Sequence, residues 1–203
     1  MSARTSLLRD TAGATITEFA LILVPLCTML FGGMDLAHRM WIKTQMQGAL
    51  SDSARRAGVE DPIFSAAGAT LQERIKNTVR EQVDPLAPGA TYDLKIENFF
   101  DFSGIGNPEK LVRDVDKDGT YDRSHNDCFE DLNDNGKYDL DTGRTGVGGA
   151  NDVAFYEMTL TMPRLIPIHV FVPIGDKITI KAAAAMRNQP FGDQATPPVR
   201  CGV

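Results

Sequence analysis

The chain has 203 residues, of which 42% are hydrophobic and 24% charged, with a formal net charge of −6. That is room for one domain of ordinary size plus an anchor, and too apolar for a wholly disordered chain. An acidic balance excludes a nucleic-acid partner, because phosphate binding needs a basic face. The imbalance is local: residues 114–141 hold ten acidic and three basic residues, a net of −7, and the remainder carries +1.

Residues 19–34 carry no charge and show no polar face, and residues 14–34 together make 21 positions. About 20 residues cross a bilayer as a helix, so a transmembrane helix is expected over 14–35. Pro25 bends such a helix without ending it. A cleaved secretory signal fits the basic start at Arg4 and Arg9, but the small-residue cleavage pattern after the run is poor. Arg39 and Lys43 offset that basic start, so charge alone leaves the orientation open.

Glu18 stands out at the head of this run. A carboxylate inside a membrane costs roughly 2.5–3.5 kcal/mol at the helix centre. It belongs to the sequence Gly13-Ala14-Thr15-Ile16-Thr17-Glu18-Phe19. A glycine, four residues, then Glu and an aromatic, opening an apolar helix after a short basic leader, resembles the type IV prepilin processing site. The form with Glu-Phe resembles the Tad/Flp branch, whose TadE-like pseudopilins are built as anchor, helix and small periplasmic domain. A type II secretion pseudopilin carries an aromatic where Ala14 stands.

The resemblance implies that a prepilin peptidase removes the leader, 1–13, by cutting after Gly13. Ala14 then becomes the new N-terminus and Glu18 its fifth residue. It implies a single-pass protein of the bacterial inner membrane with its C-terminal domain, 36–203, in the periplasm. Its partners would be the other Tad pilus components and pilin subunits, and its task assembly or priming as a minor pseudopilin. Physically, an amine on Ala14 and a carboxylate on Glu18 lie four residues apart on one helix face. Pairing them, within one chain or between neighbours, removes the penalty of an isolated charge. The alternative is an uncleaved anchor with Glu18 among the headgroups.

Beyond the span, Leu36, Met40, Met46, Leu50, Ala54 and Ala57 recur at helical spacing, and Gly58 marks a stop. The helix is therefore expected to continue as an amphipathic one. Ser65 is placed as the cap of a second helix, with Leu71, Ile75, Val79 and Val83 on one face and Asp84-Pro85 ending it. The period then changes to two. Tyr92, Leu94 and Ile96 alternate with polar residues, as do Ala154, Tyr156, Met158, Leu160 and Met162, and then Ile178, Ile180, Ala182 and Ala184. Residues 164–174 are strongly apolar, but Pro163, Pro167 and Pro173 bar a central strand. Burial on the core is expected for them, the alternative being an exposed patch that docks a partner or the membrane surface.

The acidic insert, 114–142, contains two copies of one pattern. Asp114, Asp116, Asp118 and Asp122 stand at positions 1, 3, 5 and 9 of an EF-hand-type loop, with Gly119 at 6 and Thr120 at 7. Asp131, Asn133, Asn135 and Asp139 repeat the ligands, with Gly136 at 6 and Lys137 at 7. Alternation turns successive oxygens toward one ion, the glycine permits the bend, and position 7 offers its carbonyl, so calcium is the expected metal. Position 12 is His125 in one loop and Thr142 in the other, not a bidentate Glu, and Asp127, Glu130 or Asp141 is left to supply the missing carboxylate. The competing reading is a solvated acidic turn. Residues 143–149 are glycine-rich and read as a flexible return.

Of the three cysteines, Cys27 lies in the apolar run and reads as a small hydrophobe. Cys128 and Cys201 are either free thiols or a disulfide, and a disulfide places that part of the chain in an oxidising compartment. His38, His125 and His169 are scattered and form no catalytic constellation, so no enzyme is expected. The fold class is α+β: an anchor helix extended into an amphipathic helix, a second helix, and a three- to four-stranded antiparallel sheet carrying the calcium-loop insert. The competing function is a signal-anchored periplasmic calcium-binding structural protein unrelated to pili.

Overall fold

A computed structural model describes residues 12–167 and 173–203, with side chains from Ile16 onward. The chain divides into two compact units, Met1–Trp41 with Pro163–Ile178, and Ile42–Met162 with Thr179–Val203. The fold is α+β, with one long apolar helix, a second helix and two antiparallel sheets.

Helix α1 runs Ala12–Ala57 with Pro25 inside it. Among the described residues, it is the one helix long and apolar enough to cross a membrane. Its apolar half is open: Phe19, Leu21, Val24, Met29 and Leu30 are all exposed. Of the apolar positions read beyond the span, Met46, Leu50, Ala54 and Ala57 are buried, whereas Leu36 and Met40 are exposed. The amphipathic stripe thus begins at Ile42, where the second unit begins.

Helix α2 is Leu71–Val83, and Ser65 is not its cap. Thr70 is: its side chain accepts from the Glu73 N–H, and the Glu73 carboxylate accepts in return from the Thr70 N–H, a reciprocal capping box. Such a box satisfies two donors that a helix start leaves orphaned, which Ser65, five residues upstream, cannot do. Ile75, Val79 and Val83 are buried, as their spacing requires.

Strands β1 (Thr91–Phe99), β2 (Leu111–Arg113), β3 (Cys128–Glu130), β4 (Arg144–Thr145), β5 (Val153–Pro163), β6 (Lys177–Arg187) and β7 (Val199–Cys201) form two sheets. The four-stranded sheet has the order β4-β1-β5-β6, with Leu94 opposite Met158 and Ile96 opposite Tyr156. Leu94, Ile96, Tyr156, Met158, Leu160 and Ile180 are buried, as are Ile42, Met46, Leu50, Ile75 and Val79, and these residues make the core of the second unit. The outer face is polar: Lys181 holds Glu157 at 2.7 Å.

Two expectations change. The glycine-rich return is a sheet edge rather than a loose linker, because Arg144 and Thr145 pair with β1 and the Asn98 amide donates to the Arg144 and Gly146 carbonyls at 3.0 Å each. In the segment read as buried, Leu165 is 52% and Ile174 37% exposed, and residues 168–172 lie outside the described residues. The second sheet, β2-β3-β7, has no counterpart in the sequence reading.

Candidate functional site

The processing motif opens α1. Gly13 and Ala14 lie in its first turn, and Glu18 and Phe19 are exposed on its flank. The leader, apart from its last two residues, lies outside the described residues.

The two acidic loops adopt the same conformation. Position 4 is left-handed in both, Lys117 at φ 61° and Asp134 at φ 53°, and so is the glycine at position 6, Gly119 at φ 81° and Gly136 at φ 79°. In the first loop, the Gly119 N–H donates to Asp114 Oδ2 and the Thr120 N–H to Asp118 Oδ1, each at 2.8 Å. In the second, the Gly136 N–H donates to Asp131 Oδ2 and the Lys137 N–H to Asn135 Oδ1, again at 2.8 Å. The repeat seen in sequence is therefore a repeat in backbone.

The loops face one another through position 8. The Tyr121 and Tyr138 rings stack with centroids 4.7 Å apart, and Phe129 of β3 meets both edge-on at 5.1 and 5.5 Å. Tyr121 and Tyr138 occupy equal positions in the two copies, a signal present in the sequence and unused there.

Charge separates the loops. In the first, Asp114, Asp116 and Asp127 bring carboxylate oxygens within 4.8 Å of one another. Those oxygens are the donor type that a hard divalent cation takes. Asp127 thus comes to this loop; its two oxygens also accept from the Val115 and Asp122 N–H groups at 2.9 and 2.8 Å. Asp118 and Asp122 are outside that group. Asp118 accepts from the Thr120 hydroxyl and Asp122 from the Ser124 hydroxyl. His125 places Nδ1 at 2.8 Å from Asp116 and 3.4 Å from Asp122. The carboxyls of Asp114 and Asp122 are both held below the usual range, the first chiefly by the Gly119 N–H, the second chiefly by the Ser124 hydroxyl.

In the second loop a protein cation is already in place. Asp131 is fully buried, and its Oδ2 accepts from Arg200 Nε, while Arg200 Nη2 reaches Asp134 Oδ1 at 2.9 Å. The Asn133 and Asn135 amides both donate to Asp139 Oδ2. Asp141 turns away to accept from the Gly143 N–H at 3.0 Å, and Glu130 lies 3.9 Å from Lys110. The donor set fits calcium in the first loop, while in the second the guanidinium stands where a cation's charge would act.

A buried carboxylate and a disulfide also hold the lobe. Glu109, 2% exposed, accepts from the Leu132 and Asp139 N–H groups at 2.9 and 3.1 Å, and burial pushes its carboxyl up. Cys128 and Cys201 are disulfide-bonded where β3 pairs with β7, which sets Arg200 opposite Phe129.

Residues 13–55 match the family model described as TadE-like protein. The match spans the processing motif, the apolar run and the helix beyond, and stops before the head. No curated protein and no solved structure gives a significant match.

Proposed function

We propose that this chain is a minor pseudopilin of the Tad pilus assembly machinery. It is a non-enzymatic, single-pass inner-membrane protein whose head lies in the periplasm and is stabilised by calcium. The observation that carries the reading is the family match over residues 13–55, on a helix whose apolar surface is open and whose mouth bears Glu18. An exposed helical surface of this length has no place in water and a natural one in a bilayer or among neighbouring helices of a fibre.

In this reading a prepilin peptidase cuts after Gly13. The freed Ala14 amine lies one turn from Glu18, and the pair lets the helix leave the membrane and join other subunits, where the protein assembles or primes the fibre. The head carries calcium in the loop built by Asp114, Asp116 and Asp127. The crowding of three carboxylates supports this, since like charges so close need a counter-ion.

Mass spectrometry of the chain co-expressed with its peptidase tests the assignment. A mature N-terminus at Ala14 is expected. A chain that keeps residues 1–13 in the presence of an active peptidase overturns it in favour of a signal-anchored calcium-binding protein.

A further inference from the structure

Residues 163–176 join β5 to β6, and Arg164 closes their base. Its backbone N–H donates to the Asp176 carbonyl at 3.0 Å and its Nε to the Gly175 carbonyl at 2.7 Å. Its Nη1 donates at 2.6 Å to Asp35 Oδ2 on α1, within the same compact unit. The two side chains are 9% and 5% exposed. Asp35 is the first charged residue after the uncharged residues 19–34. The ion pair therefore fixes this segment to α1 at the level where the apolar run ends.

A lone charge at that level is costly, whereas a neutral pair is tolerated at the edge of hydrocarbon. The segment's described residues next to that pair show apolar side chains outward. Leu165 and Ile174 are exposed, as are Pro163, Pro167 and Pro173. Residues 165–174 contain no Asp, Glu, Lys or Arg. Water-facing loops are seldom so free of charge, and an exposed apolar patch marks an interaction site. On α1 beyond Asp35, Leu36 and Trp41 are exposed as well. Trp41 lies about 9 Å along the axis from Asp35, close to the depth of a headgroup layer, where tryptophan is enriched.

We infer that residues 163–167 and 173–176 form a membrane-surface foot, which seats Leu165 and Ile174 in the interface of the leaflet that α1 has just crossed. The occupant is lipid because Arg164 ties this apolar surface to α1 at the end of its uncharged run, within one unit. The inference rests on the reading of α1 as a bilayer-spanning helix. Its consequence is a two-point attachment that fixes how α1 leaves the membrane.

The test uses the full chain in vesicles of phosphatidylethanolamine and phosphatidylglycerol. In a Cys27→Ser background, bimane is attached at Phe19→Cys, Leu165→Cys or Ile174→Cys. Emission at positions 165 and 174 should fall about two-fold with a headgroup-level nitroxide lipid, as for apolar groups buried at the headgroup–acyl boundary. Position 19 should respond to lipid nitroxide and not to aqueous iodide. Arg164→Ala should abolish the response at both foot positions, and the exchange Asp35→Arg with Arg164→Asp should restore it.

If position 19 responds to lipid while 165 and 174 respond only to iodide, the foot is overturned and the anchor stands. Iodide access at position 19 overturns the anchor reading and the foot with it. Cross-links between copies at position 165, without lipid quenching, overturn the foot in favour of a second copy. An unchanged response in Arg164→Ala overturns the role of the ion pair.

Discussion

Tyr121 and Tyr138, each at the eighth position of its loop, stack with ring planes 16° apart. Through that contact the loop in which Asp114, Asp116 and Asp127 converge touches the loop already served by Arg200.

Calcium should raise the melting temperature of the purified head region within the full chain, and a chelator should reverse the rise. At ten times the dissociation constant the gain is about 1.4 kcal/mol. Asp116→Asn should abolish it, because that carboxylate is one of the three that converge with Asp114 and Asp127. Scanning fluorimetry with and without calcium reads the effect, and a rise that survives in Asp116→Asn counts against the first loop.

The second loop should take a metal only when its internal cation is removed. Isothermal titration should give one site in the wild type and two in Arg200→Gln. The variant without metal should lose about 1–3 kcal/mol in urea melts, since Asp131 is left buried with its charge unmet. A wild-type stoichiometry of two would show that Arg200 yields its place.

Acidity acts on the lobe with two signs. Asp114 and Asp122 have depressed carboxyls, so their contribution is present above the ordinary value of 3.8 and is lost as pH falls through the folded values below it. Glu109 is raised above 4.5, so its ionisation weighs against folding, and stability is gained as pH falls through the raised value toward 4.5. Urea melts from neutral pH downward, in chelator, should show that gain in the wild type and not in Glu109→Gln, with the loss following at lower pH in both. Parallel curves for the two proteins above pH 4.5 would contradict it.

Removing the disulfide should be expensive. The bond closes a separation of 73 residues, and on the loop-entropy model replacing both cysteines by serine costs about 4 kcal/mol. The same variant should bind calcium more weakly, because the bond ties β7 to Cys128, the chain neighbour of Asp127 in the first loop's carboxylate group. Equal affinity in the serine variant would separate β7 from the metal site.

Glu18→Ala should be cleaved at Gly13 much as the wild type is, yet fail to support piliation. Immunoblots for processing and electron microscopy for fibres separate the two steps, and normal piliation refutes the role given to Glu18.

The parts of this molecule that bury one face over a long run were legible. Alternation along β5 puts Tyr156, Met158 and Leu160 inside as read, and the i, i+4 spacing puts Ile75 and Val79 inside. The true start of α2 was also available, since Thr70 and Glu73 have capping-box spacing. The second sheet was not. Its strands are three residues each, too short to show a period, and β7 lies far along the chain from β3. The doubled Asp–Gly spacing announced two equal loops, but what makes them unequal, Arg200 on Asp131, comes from 69 positions away. The same distance effect hid Arg164 from Asp35, 129 positions apart.

The pairing of Cys128 with Cys201 bears on the order of export. In the proposed orientation, a chain threaded outward behind its anchor presents β3 before β7, so Cys128 stands as a thiol until Cys201 arrives. Cys27 lies in the apolar helix, away from that thiol in this orientation. On that reading the bond between β3 and β7 closes after β5 and β6 have been delivered, and the acidic lobe locks late.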